Sequence, residues 1–440
     1  MKLKPRFLTA IIFFSSCLSF LNAQDLLNLE DAIRLGLENN YQVRIARNSE
    51  AISDNNNTLG NAGFLPRVTA TSSLSYTSNN TKQEFFSGDS REGQGAGTTS
   101  ARSGLALTWT AFDGFAMFAA KDRLELEASR SRIFTQQGMQ DLVTQVQRSY
   151  FGLVRIRQQI SIIEQSIQLN QSIKDLAEAK LQIGTGTSLD VLQTSTRLNA
   201  DSSALVNLQD QLAQSKIGLN RLLGRDAGTT YQVTVEVPQS LLPTLEELNQ
   251  LALQQNYGLR LLQFDEQIAL TQIREARSAL FPTIDINAGY NFNYSKAEVG
   301  FLLSNRSFGP TIGISASYDL FPGRNIKKDI ANAELFKENI ILNKQSARDD
   351  VKAQMATLFQ QYLALGNLRN LETRNLSTAQ RNTALAEELY RSGRATSFEV
   401  REAILAETLV RDRLSDVQFR QKLAEVELKS LAGIPLFNVN

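Results

Sequence analysis

The spacing of apolar and polar positions changes twice within the first half of the chain. Helical spacing from about Leu29 to Phe64 stops at Pro66, and strict alternation of apolar and polar residues follows at 68–77. A second alternating run lies at 105–110, and helical spacing then continues without a proline from Phe115 to about Ile183. Alternation predicts strands, and spacings of three and four predict helices. We therefore expect a helix, a β-hairpin and a very long helix.

The second half of the chain repeats this order. A helical pattern from about Leu245 to Leu280 ends at Pro282, alternating runs occupy 284–294 and 312–320, and a proline-free helical pattern extends from Asn325 to Ser392. Short motifs recur as well, since Leu37–Tyr41 returns as Leu253–Tyr257. The chain is thus a tandem duplication.

The duplication divides the chain into four predicted parts. A signal peptide (1–23) precedes the first repeat (24–229), which has a β-hairpin at about 67–113 and a helical-hairpin tip at 184–188. An equatorial linker (230–243) leads to the second repeat (244–440), which has a β-hairpin at about 283–321 and a tip at 393–397.

Each long helix is expected to end at a glycine turn and to pair with a returning helix. A helix of nearly 70 residues would be on the order of 100 Å long. Glycine suits the left-handed conformation after a helix end, and a threonine or serine that follows can cap the next helix. The turns contain Gly184, Gly186, Thr187 and Ser188 in the first repeat and Gly393, Thr396 and Ser397 in the second. The returning helices, from about Leu189 to Leu223 and from Phe398 to Leu431, cover half of each long helix, and the opening helices fill the other half.

The alternating runs have the length that a tilted strand needs to cross a bilayer, which is about 9 to 11 residues. One face is apolar with aromatic residues near the ends, and polar loops are predicted at 78–103 and 295–309. An antiparallel sheet with one buried face gives the same alternation and stays open as an alternative. Four strands per chain are too few to close a barrel, since about eight is the lower limit, so several chains would have to share one.

The amino terminus predicts export from the cytoplasm. Lys2, Lys4 and Arg6 precede an apolar stretch at 7–21, as in a signal peptide. Cys17 is the only cysteine, and its acylation in a lipoprotein is an alternative.

Composition argues against enzymatic and nucleic-acid functions. The chain has no histidine, and its near-neutral formal charge of +1 gives no indication of nucleic-acid binding. No catalytic constellation stands out, and we predict no enzyme activity, no cofactor and no metal.

At this point the chain resembles the TolC-like outer-membrane efflux family over essentially its whole mature length. The shared features are the duplication, the residue pair before each first strand (Leu65-Pro66 and Phe281-Pro282), the junctions Phe112-Asp113-Gly114 and Phe321-Pro322-Gly323, and the turns that begin at Gly184 and Gly393. The resemblance implies an α+β membrane protein: a homotrimer whose 12-stranded β-barrel in the outer membrane of a Gram-negative bacterium continues into a long α-helical coiled-coil barrel across the periplasm. It further implies outer-membrane lipid around the barrel, a periplasmic adaptor (membrane fusion protein) and an inner-membrane transporter as partners, and no nucleic acid.

The resemblance also implies roles for residues at the hairpin tips. Glu399 and Glu402 stand at the positions of an acidic constriction ring, although a solvated pair at a helix N-terminus is an equal alternative, and Arg401 lies between them. Asp190 and Tyr390 match positions of the lock that holds the entrance closed, and Asp190 could equally be a first-turn helix charge. The family's arginine is Ala395 here, with Arg394 one place earlier.

The remaining sites follow from the same resemblance. The tips are the predicted adaptor-docking and hinge region, through Gly184, Gly186, Thr187, Gly393, Thr396 and Ser397. The predicted strand boundaries are Pro66, Gly114, Pro282 and Gly323.

The expected function is a passive exit duct for drugs and other toxic small molecules, opened when an adaptor docks. Two alternatives remain: a type I protein-secretion duct, and a soluble periplasmic coiled-coil scaffold or adaptor.

Overall fold

A computed structural model describes residues 26–234 and 242–436. The predicted signal peptide, Cys17 and residues 235–241 of the predicted linker lie outside the described residues. The first half contains strand β1 (Leu26–Leu27), helices α1 (Leu29–Asn39) and α2 (Tyr41–Asn56), strands β2 (Arg67–Glu84) and β3 (Ser90–Phe112), and helices α3 (Ala116–Gln182) and α4 (Ser188–Leu222). The second half contains strand β4 (Gln232–Val233), helices α5 (Leu245–Gln255) and α6 (Tyr257–Ser278), strands β5 (Thr283–Ala297) and β6 (Ser304–Ser317), and helices α7 (Asn325–Arg391) and α8 (Ser397–Leu431).

Four long strands form one antiparallel sheet in the order β2-β3-β5-β6. Leu107 of β3 lies opposite Val68 on one side and Ala288 on the other, and Ala288 lies opposite Ile312. Directly opposite residues share a face, so this row is apolar across the whole sheet. The neighbouring row contains polar residues such as Thr108 and Asn287. The sheet therefore has one apolar and one polar face, and among the described residues β2 and β6 each pair on one side only.

The strands extend well beyond the alternating runs, which corrects the predicted loops. β2 and β3 continue until only 85–89 separate them, and β5 and β6 are separated by 298–303. Most of the segment predicted as a polar loop at 78–103 is paired strand. Backbone pairing does not require apolar side chains, and the alternation marks only where one face meets an apolar environment. Hydrophobicity therefore underestimated the strand lengths.

The opening helix of each repeat is two helices, which is a second correction. Asn40 has an extended backbone conformation, ends α1 and caps α2, where its Oδ1 accepts from the N–H groups of Gln42 and Val43 at 2.8 and 3.3 Å. Asn256 does the same between α5 and α6 and accepts from the N–H of Leu259 at 3.1 Å. Asparagine competes well for helix caps because its side chain replaces a missing backbone acceptor.

Each break joins two helices end to end. Asn40 Nδ2 donates to the carbonyl oxygen of Leu222, at the end of α4, at 2.9 Å, and Asn256 Nδ2 donates to that of Leu431, at the end of α8, at 2.9 Å. We call these two contacts the helix joints. A Cβ on Gly224 would lie 2.6 Å from the carbonyl oxygen of Asn39, so only glycine permits this approach. α4 and α2 thus stack end to end into one helical column, which we call a strut. α8 and α6 form the second strut.

The struts and long helices pack side by side. α3 contacts α2 and α4 on one side and α6 and α8 on the other, whereas α7 lies beyond α6 and α8. The main core lies near the first helix joint, where Val143, Val146 and Leu153 of α3 are fully buried. Tyr150 Oη in this core donates to the carbonyl oxygen of Leu27 at 3.0 Å, which ties the small β1-β4 sheet to α3.

The long helices lack a transmembrane character. Among the helices of the described ranges, none is both long enough and apolar enough to cross a membrane.

Candidate functional site at the helical-hairpin tips

Both helical hairpins close with the same turn. Gly184 and Gly393 have left-handed φ angles of 77° and 76°, which glycine adopts without strain. The N–H of Thr185 donates to the carbonyl oxygen of Lys180 at 2.9 Å, and the N–H of Arg394 donates to that of Leu389 at 2.8 Å. These bonds satisfy carbonyl groups that a helix end leaves free.

Threonine caps the returning helix in each hairpin. The N–H of Asp190 donates to Thr187 Oγ1 at 3.2 Å, and that of Glu399 donates to Thr396 Oγ1 at 3.3 Å. In the second hairpin the Glu399 carboxylate also accepts from the N–H of Thr396 at 2.7 Å, which completes a capping box. These bonds lower the pKa of the Glu399 carboxyl group. Both hairpins thus share the hydrogen bond to the cap side chain, and the second hairpin adds one from the backbone N–H of its cap residue, Thr396.

One link between the hairpins joins Asp190 to Ser397. Ser397 is 3% exposed, and its Oγ donates to Asp190 Oδ1, while Thr187 Oγ1 donates to Asp190 Oδ2 at 2.7 Å. The hydrogen bond from Ser397 is the largest cause, and that from Thr187 the next, of a lowered pKa for the Asp190 carboxyl group. The capping position at the second tip thus bonds the acidic residue of the first.

A second link joins Lys180 to Tyr390. Lys180 Nζ donates to the carbonyl oxygen of Tyr390 at 2.5 Å and lies 3.7 Å from the centre of its ring, a cation–π distance. Tyr390 is buried in a small cluster with Ile173, Val400 and Ile404. Burial, followed by the nearby charge of Asp190, raises the pKa of the Tyr390 phenol. The ends of α3 and α7 are fastened by this contact.

Of the other charged residues at the tips, one bonds across the two hairpins and one bonds within its own turn. Arg401 donates to Gln193 Oε1 at 2.6 Å and so forms a third bond between the hairpins. Arg394 is exposed and its Nε donates to Ser392 Oγ, within its own turn, at 3.2 Å. Glu402 is exposed one turn after Glu399 on α8.

Sequence reasoning brought Asp190 and Tyr390 to this site but missed Lys180 and Gln193, and it considered Arg401 only as a charge between Glu399 and Glu402. Lys180 and Gln193 carry no local motif, and their partners are about 200 residues away along the chain. Ser397 was predicted as a helix cap and as part of the docking and hinge region, but not as a bond donor to the other hairpin. The offset between the two repeats was the one available signal, since it places both tips at equivalent positions of the duplicated unit.

The predicted strand boundaries lie at the opposite end of the molecule. Pro66 and Pro282 directly precede β2 and β5, and Gly114 and Gly323 lie between a strand and a long helix with φ angles of 68° and 62°. Gly186, by contrast, belongs to the first tip, where its N–H donates to the carbonyl oxygen of Lys180 at 2.9 Å.

Comparison with known proteins bears on the whole chain. The model of the family described as "outer membrane efflux protein" matches residues 32–225 and 248–434, which includes both repeats and both tips. The cation efflux system protein CusC of Escherichia coli strain K12 is 23% identical over 303 residues, which cover 66% of this chain and 64% of CusC. The chain thus aligns with slightly less than two thirds of that relative.

Two other proteins resemble the chain over most of their length. The proteases secretion protein PrtF of Dickeya chrysanthemi is 21% identical over 454 aligned positions, which cover 98% of this chain and 93% of PrtF. The crystal structure of the outer membrane protein VceC from Vibrio cholerae superposes with a TM-score of 0.74 at 16% identity and covers 92% of this chain and 96% of that one. At this identity the structural likeness shows the fold alone.

The resemblance inferred from the repeated motifs is confirmed by the family match. Its members are outer-membrane channels of Gram-negative bacteria that extend into the periplasm, and this location was also predicted. The chain belongs to the outer membrane efflux protein family.

Proposed function

We propose that this protein is the outer-membrane duct of a tripartite export system, through which drugs and other toxic small molecules leave the cell. In this proposal three copies share a 12-stranded barrel and a helical barrel. The observation that carries it is the division of the molecule: a four-stranded sheet with an apolar face at one end, and two helical hairpins fastened together at the other.

The tips form the closed periplasmic entrance. Three contacts hold the second hairpin against the first: Asp190 with Ser397, Lys180 with Tyr390, and Gln193 with Arg401. An adaptor that binds the tips opens the entrance only if it binds the separated hairpins more tightly than the joined ones. Gly184 and Gly393 are the hinges in this movement. Arg394, which bonds within its own turn, contributes to adaptor docking and not to the lock.

Glu399 and Glu402 provide negative charge at the constriction. The capping box orients the Glu399 carboxylate and keeps it ionised, since the same bonds lower its pKa. Capping and charge are therefore compatible roles. Three copies of the pair around an axis would favour cations over anions.

The duct is passive, and its partners supply both energy and cargo. A periplasmic adaptor connects it to an inner-membrane transporter, outer-membrane lipid surrounds the barrel, and no nucleic acid, cofactor or catalytic step takes part. The chemistry of the cargo is chosen by the transporter.

Protein secretion is the second candidate cargo. The similarity to PrtF covers 98% of this chain, whereas that to CusC covers 66%. A soluble scaffold has lost its support, because the matched family is one of outer-membrane proteins.

The first test is single-channel recording in planar bilayers, with the mass measured in the same detergent. Discrete conductance from a species of three chains supports the duct. A monomer or dimer without conductance contradicts it. Deletion of the gene then separates the two cargoes, since loss of drug resistance supports efflux and loss of a secreted protein supports secretion.

A further inference from the structure

The loop between β5 and β6 ends in three consecutive apolar residues. Phe301, Leu302 and Leu303 are 83%, 58% and 70% exposed in one chain. This segment had been assigned to a polar loop on the outer surface. A run of large apolar residues at a loop tip is unfavourable in water and requires a partner surface.

The base of this loop is held firmly to β3. The N–H of Glu298 donates to the carbonyl oxygen of Gly97 at 3.0 Å, and Glu298 Oε2 accepts from the N–H of Gly97 at 2.7 Å. The N–H of Ala297 donates to the carbonyl oxygen of Leu303 at 3.1 Å and closes the loop. Two backbone hydrogen bonds and one from a side chain therefore fix the base of the loop.

The loop lies on the polar side of the sheet. The pairing of β2 with β3 shifts register between Asn79 and Thr81, and beyond this bulge Thr81 lies opposite Gly93. Thr81 is on the same face of β2 as Thr69 and Thr71, which is the polar face. A Cβ on Gly93 would be 2.5 Å from Val299 Cγ2, so Val299 packs directly against this face.

The next pair along the hairpin makes the same contact. Gln83 lies opposite Arg91 on this face, and Arg91 Nη1 donates to the carbonyl oxygen of Gly300 at 2.8 Å. The loop therefore lies against the polar face of the extended β2-β3 hairpin. Phe85 at its turn lies 6.5 Å from the ring centre of Phe301.

We propose that Phe301, Leu302 and Leu303 of three copies meet over the bore and form an apolar collar at its outer mouth. The proposal rests on the proposed function, in which the polar face lines the bore. A loop on that face points toward the symmetry axis, where the same side chains of the other two copies cover its apolar surface. A hydrophobic constriction of this kind resists the passage of water and ions until it widens.

The rival partner for these side chains is the outer leaflet of the membrane. Lipid would contact the apolar face of the sheet, and the loop lies on the other face. Phe86 provides the contrast, because it is fully exposed at the turn of the first hairpin and does not belong to the loop.

The test is cysteine cross-linking in outer membranes. Leu302→Cys is expected to give disulfide-linked pairs of chains after oxidation, because a disulfide requires Cα atoms within about 7 Å. Phe86→Cys is the matched control at the same end of the molecule and is expected to stay uncrosslinked. The wild-type chain, oxidised in parallel, controls for Cys17.

Each outcome decides between the proposals. Cross-linking of Leu302→Cys alone supports the collar. Its absence from a protein that still migrates as three conducting chains overturns the collar and leaves the duct intact, and equal cross-linking of both variants also overturns it. A wild-type protein that is neither trimeric nor conducting refutes the duct and the collar together.

A second measurement follows ion flow. The variant Phe301→Ser, Leu302→Ser, Leu303→Ser is expected to conduct better than its parent when both carry Ser397→Ala to loosen the periplasmic entrance. Equal conductance in this background would contradict a constriction at the outer mouth.

Discussion

Helices α3 and α7 are equivalent in the two repeats, yet they differ sharply in burial. Each has 67 residues, but 19 are buried in α3 and only five in α7. α3 packs along α1, α2, α4, α6 and α8, whereas α7 packs mainly along α5, α6 and α8 and meets α3 at the tip, through Lys180 and Tyr390. The difference is one of neighbours, since α3 lies inside the helical layer and α7 lies at its edge.

The uncovered surface of α7 carries several large apolar side chains among polar ones. Large apolar side chains there are 37% to 58% exposed, and they are Leu335, Phe336, Leu342, Leu363, Leu368, Leu371 and Leu385. The opposite edge of the layer is formed by α2 and α4, where Ile45 and Val206 are 55% and 64% exposed. Two different apolar edges suit head-to-tail contacts that close into a ring. We therefore expect α2 and α4 of the next chain to cover the exposed apolar side chains of α7.

The largest effect is expected in the core around α3. Leu153→Ala removes a fully buried side chain and should cost about 2–5 kcal/mol of unfolding free energy. Leu363→Ala on α7, where the side chain is 45% exposed, should change the stability of a single chain little. Circular dichroism of dissociated chains during unfolding checks the pair, and equal losses would contradict the contrast between the helices.

The next effect concerns assembly. Leu342→Gln keeps the side-chain size but removes apolar burial worth about 1.5–3 kcal/mol, so the association constant should fall about ten-fold or more. Asn343→Gln, one position along α7, is the control and should leave assembly unchanged. Mass measurement across a dilution series reports the result. An unaltered fraction of assembled chains for Leu342→Gln would remove this face from the interface.

The link at the tips should produce a comparable but local effect. Ser397→Ala removes a hydrogen bond to a charged carboxylate, typically worth about 1.5–3 kcal/mol, and should raise the open fraction of the channel by about ten-fold. Arg394→Ala is the control, because Arg394 bonds only within its own turn. Single-channel recordings that show the same opening for both variants would argue against the lock.

A smaller effect should be the same in both repeats. Asn40→Ala and Asn256→Ala each remove a cap and a bond to the preceding strut helix, and each should cost about 1 kcal/mol. Thermal unfolding measures both. Clearly unequal losses would show that the repeats differ at the helix joints as well as in their neighbours.

The smallest effect is on pH dependence. Because the pKa of Asp190 is lowered, its contribution to closing is complete above the ordinary carboxyl value of about 4 and is lost as the pH falls through the lowered pKa. The open fraction should stay constant between about pH 7 and 5 and rise only below about 4. Asp190→Asn should abolish the step, and an unchanged pH profile in this variant would assign it to another group.

Local patterns were sufficient for the elements whose ends have a chemical signal. The long helices and the tips followed from the absence of proline and from Gly184 and Gly393 at the turns. The breaks at Asn40 and Asn256 were missed because asparagine can also lie within a helix, and the apolar spacing continues through both positions. The paired motifs ending in Asn40-Tyr41 and Asn256-Tyr257 were seen, but their capping role depends on a carbonyl group from a distant helix.

Long-range contacts carried no comparable signal. Nothing near Lys180 indicates that it reaches Tyr390, and the partner of Ser397 lies in the other repeat. The tilt of the loop at 298–303 toward the polar face depends on the length of a different hairpin. Such features follow from the packing of the whole chain and not from any local stretch.

Each helix joint divides the helical part of the molecule into two lengths, one from the joint to the tip and one from the joint to the sheet. The two lengths can therefore change independently of each other. Because α2 and α4 meet end to end, matched insertions near the tip in α3 and α4 would lengthen the distance from the joint to the tip and leave the joint and the sheet end as they are. The same holds for α7 and α8 in the second repeat. The proposed duct can therefore be fitted to cell envelopes of different depth by whole helical turns, while the sheet that would meet the lipid stays unchanged.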